Sequence, residues 1–197
     1  MKTGLIVVAH PDDETIWMGG KILRSKDIDW TIFSLCRKDD LDRYPKFMKV
    51  CDYYNAKGLI SDLEDEGIMN INESLPEIEK RVMKELEDKS FDYIFTHGFN
   101  GEYGHDRHVG VHRVIERLVK DNKIVCQKIF FFDYKLDKDR IVNGDLTNLE
   151  EELSLEELTK KKEIIINLYG FAQDSFENLS CLPKETFYES SYPLRAS

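Results

Sequence analysis

The sequence predicts a three-layer α/β fold with a mostly parallel sheet, and three observations predict it. First, short runs rich in β-branched and aromatic residues recur along the chain, at 5–9, 29–36, 91–96 and 128–133. They are nearly continuous in apolarity, as strands covered on both faces are. Second, stretches with helical spacing of apolar residues separate these runs, the pattern of strand–helix–strand units. Third, polar residues able to do chemistry follow the runs directly, His10-Pro11-Asp12-Asp13-Glu14 after the first and Arg37-Lys38-Asp39-Asp40 after the second. Ligands of open α/β sheets bind outside the carboxyl ends of the strands, so a Rossmann-like arrangement puts the site there.

The elements follow in order. Leu5-Ile6-Val7-Val8-Ala9 is the first strand, and it should stop at His10 because Pro11 cannot donate to a ladder. Asp12 or Asp13 can cap a helix starting near Glu14 and running from Thr15 to Lys26. Gly19-Gly20 inside it lowers helix propensity, which close packing on the sheet would explain. A second strand (29–36) precedes a helix (42–55), a short strand (57–60) and an acidic loop (62–70). Ser74 with Glu77 three residues later reads as a capping box for a helix over 74–89. The strand at 91–96 leads into a glycine-rich loop and a helix over 106–120. After the strand at 128–133, residues 136–154 are polar and expected to be irregular. A last helix covers 155–168, with Lys160-Lys161-Lys162 read as a solvated turn, and Phe187-Tyr188 is expected to pack back on the domain.

Bulk properties narrow the function. At 197 residues, with 41% hydrophobic and 34% charged, residues 1–197 read as a single globular domain. A net charge of -10 leaves no broad basic surface to meet phosphates and argues against nucleic acid as a partner. No apolar run approaches a membrane span, and no signal peptide is recognisable. Cys36, Cys51, Cys126 and Cys181 are scattered, as expected of reduced thiols in a cytoplasmic protein. The chain is compatible with a homo-oligomer.

Five histidines carry the chemistry. His10 and Asp13 offer a nitrogen and an oxygen on one tight turn, which suits zinc, iron(II) or another divalent ion but leaves it short of ligands. Asp12 between them is placed to act as a general base. His97, His105, His108 and His112 fall within sixteen residues. His105 and His108 share a helix face, so one can complete a His/Asp/His set while the other donates to an oxyanion or protonates a leaving amine. His108 with His112 is a rival metal pair. A nucleotide-binding module is disfavoured, because no Gly-x-Gly-x-x-Gly follows the first strand. A metal-dependent esterase or phosphoesterase, or a non-catalytic relative that only binds metal or sugar, uses similar ligands.

Two stretches together resemble the LmbE-like and PIG-L family of zinc-dependent N-acetylglucosamine deacetylases. Ala9 to Glu14 matches its motif Ala-His-Pro-Asp-Asp-Glu. Asn100 to His108 matches, with changes, a loop like Asn-Gly-Gly-Tyr-Gly-His-Pro-Asp-His. The resemblance implies removal of an N-acetyl group from an amino-sugar substrate. It implies His10, Asp13 and His108 as zinc ligands and Asp12 as the general base. His105 would stabilise the oxyanion or act as the acid, Tyr103 would close over the substrate, and Arg37 and Asn100 would contact it. One departure bears on the chemistry: the acid before the last histidine is here Arg107, and a cation there should lower the pKa of His105.

Overall fold

The computed structural model describes residues 1–190. In chain order its first half runs β1 (Lys2–Val8), α1 (Asp13–Arg24), β2 (Ile28–Cys36), α2 (Arg43–Tyr54), β3 (Lys57–Leu63), α3 (Ile71–Glu85) and β4 (Ser90–Thr96). Then come α4 (Gly101–Gly104), α5 (Asp106–Lys120), β5 (Val125–Phe132), β6 (Tyr134–Asp137), β7 (Arg140–Asn143) and β8 (Leu149–Glu152). The last elements are α6 (Leu155–Glu163), a π-helical turn (Ile164–Leu168), α7 (Phe176–Leu179) and β9 (Lys184–Ser190).

One sheet has the order β3-β2-β1-β4-β5-β9-β8. Its first five strands are parallel, β9 runs antiparallel to β5, and β8 runs antiparallel to β9. The expected Rossmann-like arrangement is therefore present. The chain winds outward in one direction from β1 and in the other from β4, so the switch point lies between these two strands. The crevice above their carboxyl ends is the binding position of such sheets.

Side chains alternate across β1, and each face has its own core. Ile6 and Val8 pack with Ile16, Trp17 and Ile22 of α1 and Phe47 and Val50 of α2. Leu5 and Val7 pack on the other face with Ile78 and Val82 of α3 and Val111, Ile115 and Leu118 of α5. Residues 4–8 of β1 are buried, which is why they read as a continuous apolar run.

Three local expectations are corrected. The cap of α3 is Asn70, not Ser74: Asn70 Oδ1 accepts from Asn72 and Glu73 N–H, Glu73 bonds back to the Asn70 N–H, and Ser74 turns its hydroxyl to the Ile71 carbonyl. Residues 136–154 are not irregular, since they hold most of the β6–β7 hairpin and the edge strand β8. Lys161 is not solvated. It is fully buried and pairs with Glu185 of β9 at 2.7 Å, while its neighbours Lys160 and Lys162 lie nearer the surface. The glycine pair of α1 packs closely, as expected, against Tyr54, Lys161, Leu153 and strand β9 of the sheet. A Cβ at Gly20 would lie 2.2 Å from Leu153 Cδ2, and the Gly20 N–H reaches Glu185 at 2.8 Å. The tail packs back as expected, as strand β9.

Candidate metal centre

The turn after β1 and the loop after β4 meet at the switch point. Asp12 occupies the N-cap position of α1 but makes no side-chain cap, and its backbone sits at φ 118°, ψ −31°. A non-glycine residue in that region is strained, a condition typical of functional sites. The peptide N–H of Asp12 donates to Glu14 Oε2 at 3.1 Å, and Tyr169 at the end of the π-helical turn donates its hydroxyl to Glu14 Oε1 at 2.8 Å. Buried Glu14 thus ties the strained turn to the C-terminal part of the chain.

Three donor atoms converge: His10 Nδ1 lies 3.2 Å from His108 Nε2 and 3.3 Å from Asp13 Oδ2, and His108 Nε2 lies 3.4 Å from Asp13 Oδ2. Bonds of about 2.0–2.1 Å to a tetrahedral zinc require ligand atoms about 3.3–3.4 Å apart. The triangle therefore fits one divalent ion, with the fourth direction open.

The far atom of each of these residues is held as well. His10 Nε2 faces Asp65 Oδ2 at 3.1 Å, His108 Nδ1 faces Glu102 Oε2 at 2.6 Å, and Asp13 Oδ1 accepts from Trp17 Nε1 at 3.0 Å. Carboxylates behind metal-binding histidines fix ring orientation and raise ligand basicity. Among the described residues three other groups of possible ligands overlap with this set: His10 with His105 and His108, His10 with Cys36 and Asp65, and Asp13 with His97 and His108. In the last, Ala9 N–H donates to His97 Nε2 at 3.0 Å, so that nitrogen is an acceptor already in use. His112 turns its Nδ1 to the His97 carbonyl at 3.0 Å and packs on Phe131, so His108 and His112 do not form a pair.

The electrostatics follow from burial and charge. Burial pushes the Asp13 carboxyl up, but the facing His108 and His97 outweigh it and hold it well below the usual range. Asp12 moves the other way: burial, then the Asp13 charge, raise it well above the ordinary carboxylate value against the pull of Arg43. In the metal-free site burial favours neutral His10, yet Asp13 and Asp65 raise it to about 10. Burial together with neighbouring His108 and His10 lowers His105 to about 4. The drop expected for His105 is present, but its cause is not Arg107. That side chain turns away from the cavity, to the Glu64 carboxylate at 2.8 Å and the Glu64 and Met69 carbonyls at 2.7 and 2.9 Å. His105 Nδ1 accepts from the Arg107 N–H at 3.2 Å, which assigns the neutral ring's proton to Nε2.

A cavity of about 380 Å³ opens over the triangle, lined among others by Asp12, His105, Tyr103, Arg43, Arg37 and Phe176. Tyr103 packs edge-on against His105, His108 and Phe176 at 5.7, 5.2 and 5.1 Å between ring centres. Arg37 reaches the wall, but its guanidinium is engaged by Asp65 at 2.8 Å and Glu66 at 2.9 Å. Asn100 does not line the cavity. It caps α4 through the Glu102 N–H and donates to the Tyr134 carbonyl at 2.8 Å.

Sequence reasoning missed Trp17, Asp65, Glu102 and Arg43, whose guanidinium pairs with Asp12 Oδ2 at 2.9 Å and lies 4.4 Å over the Phe171 ring. Trp17 had a signal, its spacing of four from Asp13 on one helix. The others meet the site only through the fold.

No protein-family model matches the chain. The uncharacterized protein L374 of Acanthamoeba polyphaga mimivirus is 23% identical over 145 residues, which is 66% of this chain and 61% of that protein. The chain therefore matches about three fifths of that relative's length. Among solved structures, GalB, the 4-carboxy-2-hydroxymuconate hydratase of Pseudomonas putida KT2440, is similar over 100% of this chain and 99% of its own, with TM-score 0.66 and 13% identity. The N,N'-diacetylchitobiose deacetylase of Pyrococcus horikoshii is similar over 96% and 84%, with TM-score 0.64 and 14% identity. The fold implied by the sequence resemblance is thus the fold observed, and it is shared with a solved sugar deacetylase.

Proposed function

We propose that this chain is a metal-dependent hydrolase that removes the acetyl group from an N-acetylglucosamine-type amino sugar or conjugate, giving acetate and a free amine. The triangle of His10 Nδ1, Asp13 Oδ2 and His108 Nε2, with edges of 3.2–3.4 Å, is the observation that carries this reading. These three residues would hold zinc, iron(II) or another divalent ion, since imidazole and carboxylate donors suit several. Such an ion polarises a carbonyl and makes water acidic enough to attack near neutral pH.

The chain's own residues supply the rest. Asp12 borders the open side of the triangle, and its raised proton affinity suits a base that takes a proton and later passes it to the leaving amine. His105 stays neutral and offers its Nε2–H to the developing oxyanion. The Tyr103 ring closes one wall and shields the site from water. Arg37 lines the cavity with its guanidinium held by Asp65 and Glu66, so it would contact the substrate only on release from that pairing. The similarity to the deacetylase of Pyrococcus horikoshii supports a sugar amide as substrate. Four buried, unbridged cysteines support a reducing compartment such as the cytoplasm. Among the described residues no helix is long and apolar enough to cross a membrane.

The test is acetate release from a panel of N-acetylglucosamine conjugates by metal-loaded protein, with Asp12→Asn as control. An unsaturated hydroxy acid such as 4-carboxy-2-hydroxymuconate belongs in the panel, because GalB shares the fold. Turnover lost in the variant supports the reading. Hydration of the unsaturated acid without acetate release refutes it.

A further inference from the structure

Behind the candidate ligand His108 lies a buried carboxylate that the resembled motif does not have. Where that motif reads Asn-Gly-Gly-Tyr, this chain reads Asn100-Gly101-Glu102-Tyr103. Glu102 sits at φ 57°, ψ −57°, the tight γ-turn region where glycine is at ease and other residues are strained. Nevertheless its carboxylate is fully buried and has three partners. Oε1 accepts from the Gly98 N–H at 2.7 Å, and Oε2 lies 2.8 Å from His97 Nδ1 and 2.6 Å from His108 Nδ1. The His97 and His108 rings stack with centres 3.9 Å apart, so one oxygen bridges two parallel imidazoles. His97 completes the chain of contacts, because its Nε2 accepts the Ala9 N–H next to His10. A single carboxylate therefore connects the loop after β4 with the end of β1, the two segments that supply the ligand triangle.

We infer that Glu102 is a positioning residue of the metal centre: its buried carboxylate fixes His108 with Nε2 toward the triangle and, through His97, locks the backbone that presents His10. The acid displaced from position 107 has a counterpart on the other side of the loop, where it acts on the ligand His108 and not on His105. The strain at Glu102 fits this role. A glycine would satisfy the backbone there, and what the side chain adds is the carboxylate. The inference rests on the metal-centre reading above, which the first arm of the test checks by itself.

The experiment compares wild type, Glu102→Gln and Glu102→Gly by zinc affinity in competition with a chelator, and by the visible spectrum of the cobalt(II) forms. Far-UV circular dichroism of each protein confirms the fold. Loss of a carboxylate behind a metal-binding histidine lowers affinity about 10–100-fold, and this range is expected for both variants, with an altered cobalt spectrum. In wild type, nitrogen-15 NMR should show both His97 and His108 protonated at Nδ1 in the zinc form. That readout needs no variant and holds if a variant fails to fold. Variants that bind zinc as tightly as wild type with an unchanged spectrum overturn the inference alone. So does a His108 ring without an Nδ1 proton. No zinc binding by wild type overturns the metal-centre reading and the inference with it.

Discussion

Replacing Asp12 by glycine should stabilise the metal-free protein while removing its turnover. Asp12 is held at φ 118°, ψ −31°, a conformation that costs an ordinary residue about 1–3 kcal/mol and glycine nothing. Its carboxylate is buried beside that of Asp13, so the substitution also removes a like-charge contact. Two effects oppose. The Arg43–Asp12 pair at 2.9 Å is lost, worth roughly 0.5 kcal/mol because the arginine is about a third exposed and water screens it. Glycine also loses more chain entropy on folding, about 0.5–1 kcal/mol. The strain relief wins, and the balance is a gain of about 1 kcal/mol. Asp12→Asn removes the charge and keeps the backbone strain, so it should gain less, and the difference between the two variants reports the strain less the entropy cost of glycine. Urea unfolding with chelator present measures both. A glycine variant that unfolds at lower urea than wild type would refute the reasoning, because the backbone at Asp12 would then not be strained in solution.

Three other perturbations probe separate parts of the account. Lys161→Met leaves the buried Glu185 carboxylate with only the Gly20 and Lys21 N–H groups, each at 2.8 Å; it should cost about 3 kcal/mol in urea unfolding, and a cost under about 1 kcal/mol contradicts the buried pair. Trp17→Phe removes the donor to Asp13 Oδ1 and should weaken zinc binding about tenfold in chelator competition. Arg24 clamps Glu157 through two bonds of 2.8 and 2.7 Å and holds its carboxyl at about 2, below the ordinary 4.5. A depressed carboxyl stabilises the fold above its ordinary value and loses that contribution as pH falls towards 2. Arg24→Ala should therefore cost about 0.5–1 kcal/mol at pH 7, after discounting for its exposure, and almost nothing near pH 2. An equal cost at both pH values would contradict this.

The parts of the molecule legible in the sequence are those whose signals are local. The strands β1, β2, β4 and β5 are apolar because helices cover both their faces, and His10 and Asp13 share one short turn, whereas His108, 98 residues from His10, is legible as a ligand only through the resembled motif. Edge strand β8 was illegible because Leu-Glu-Glu-Glu is polar, and its half-exposed face looks like a loop until β9 pairs with it. The α3 boundary moved because Asn70 with Glu73 and Ser74 with Glu77 have the same spacing, and the sequence alone does not rank two capping boxes. Lys161 was hidden among three lysines, since its burial depends on Glu185, 24 residues away. The same distance effect concealed Asp65 and Arg43, whose partners His10 and Asp12 lie far back in the chain.

X-ray absorption of the zinc-loaded protein tests the central claim most directly. The account predicts one zinc per chain with nitrogen and oxygen neighbours only, at about 2.0–2.1 Å, including two imidazoles. A sulfur neighbour at about 2.3 Å would place the metal with Cys36 instead, and a protein that retains no zinc would contradict the account altogether.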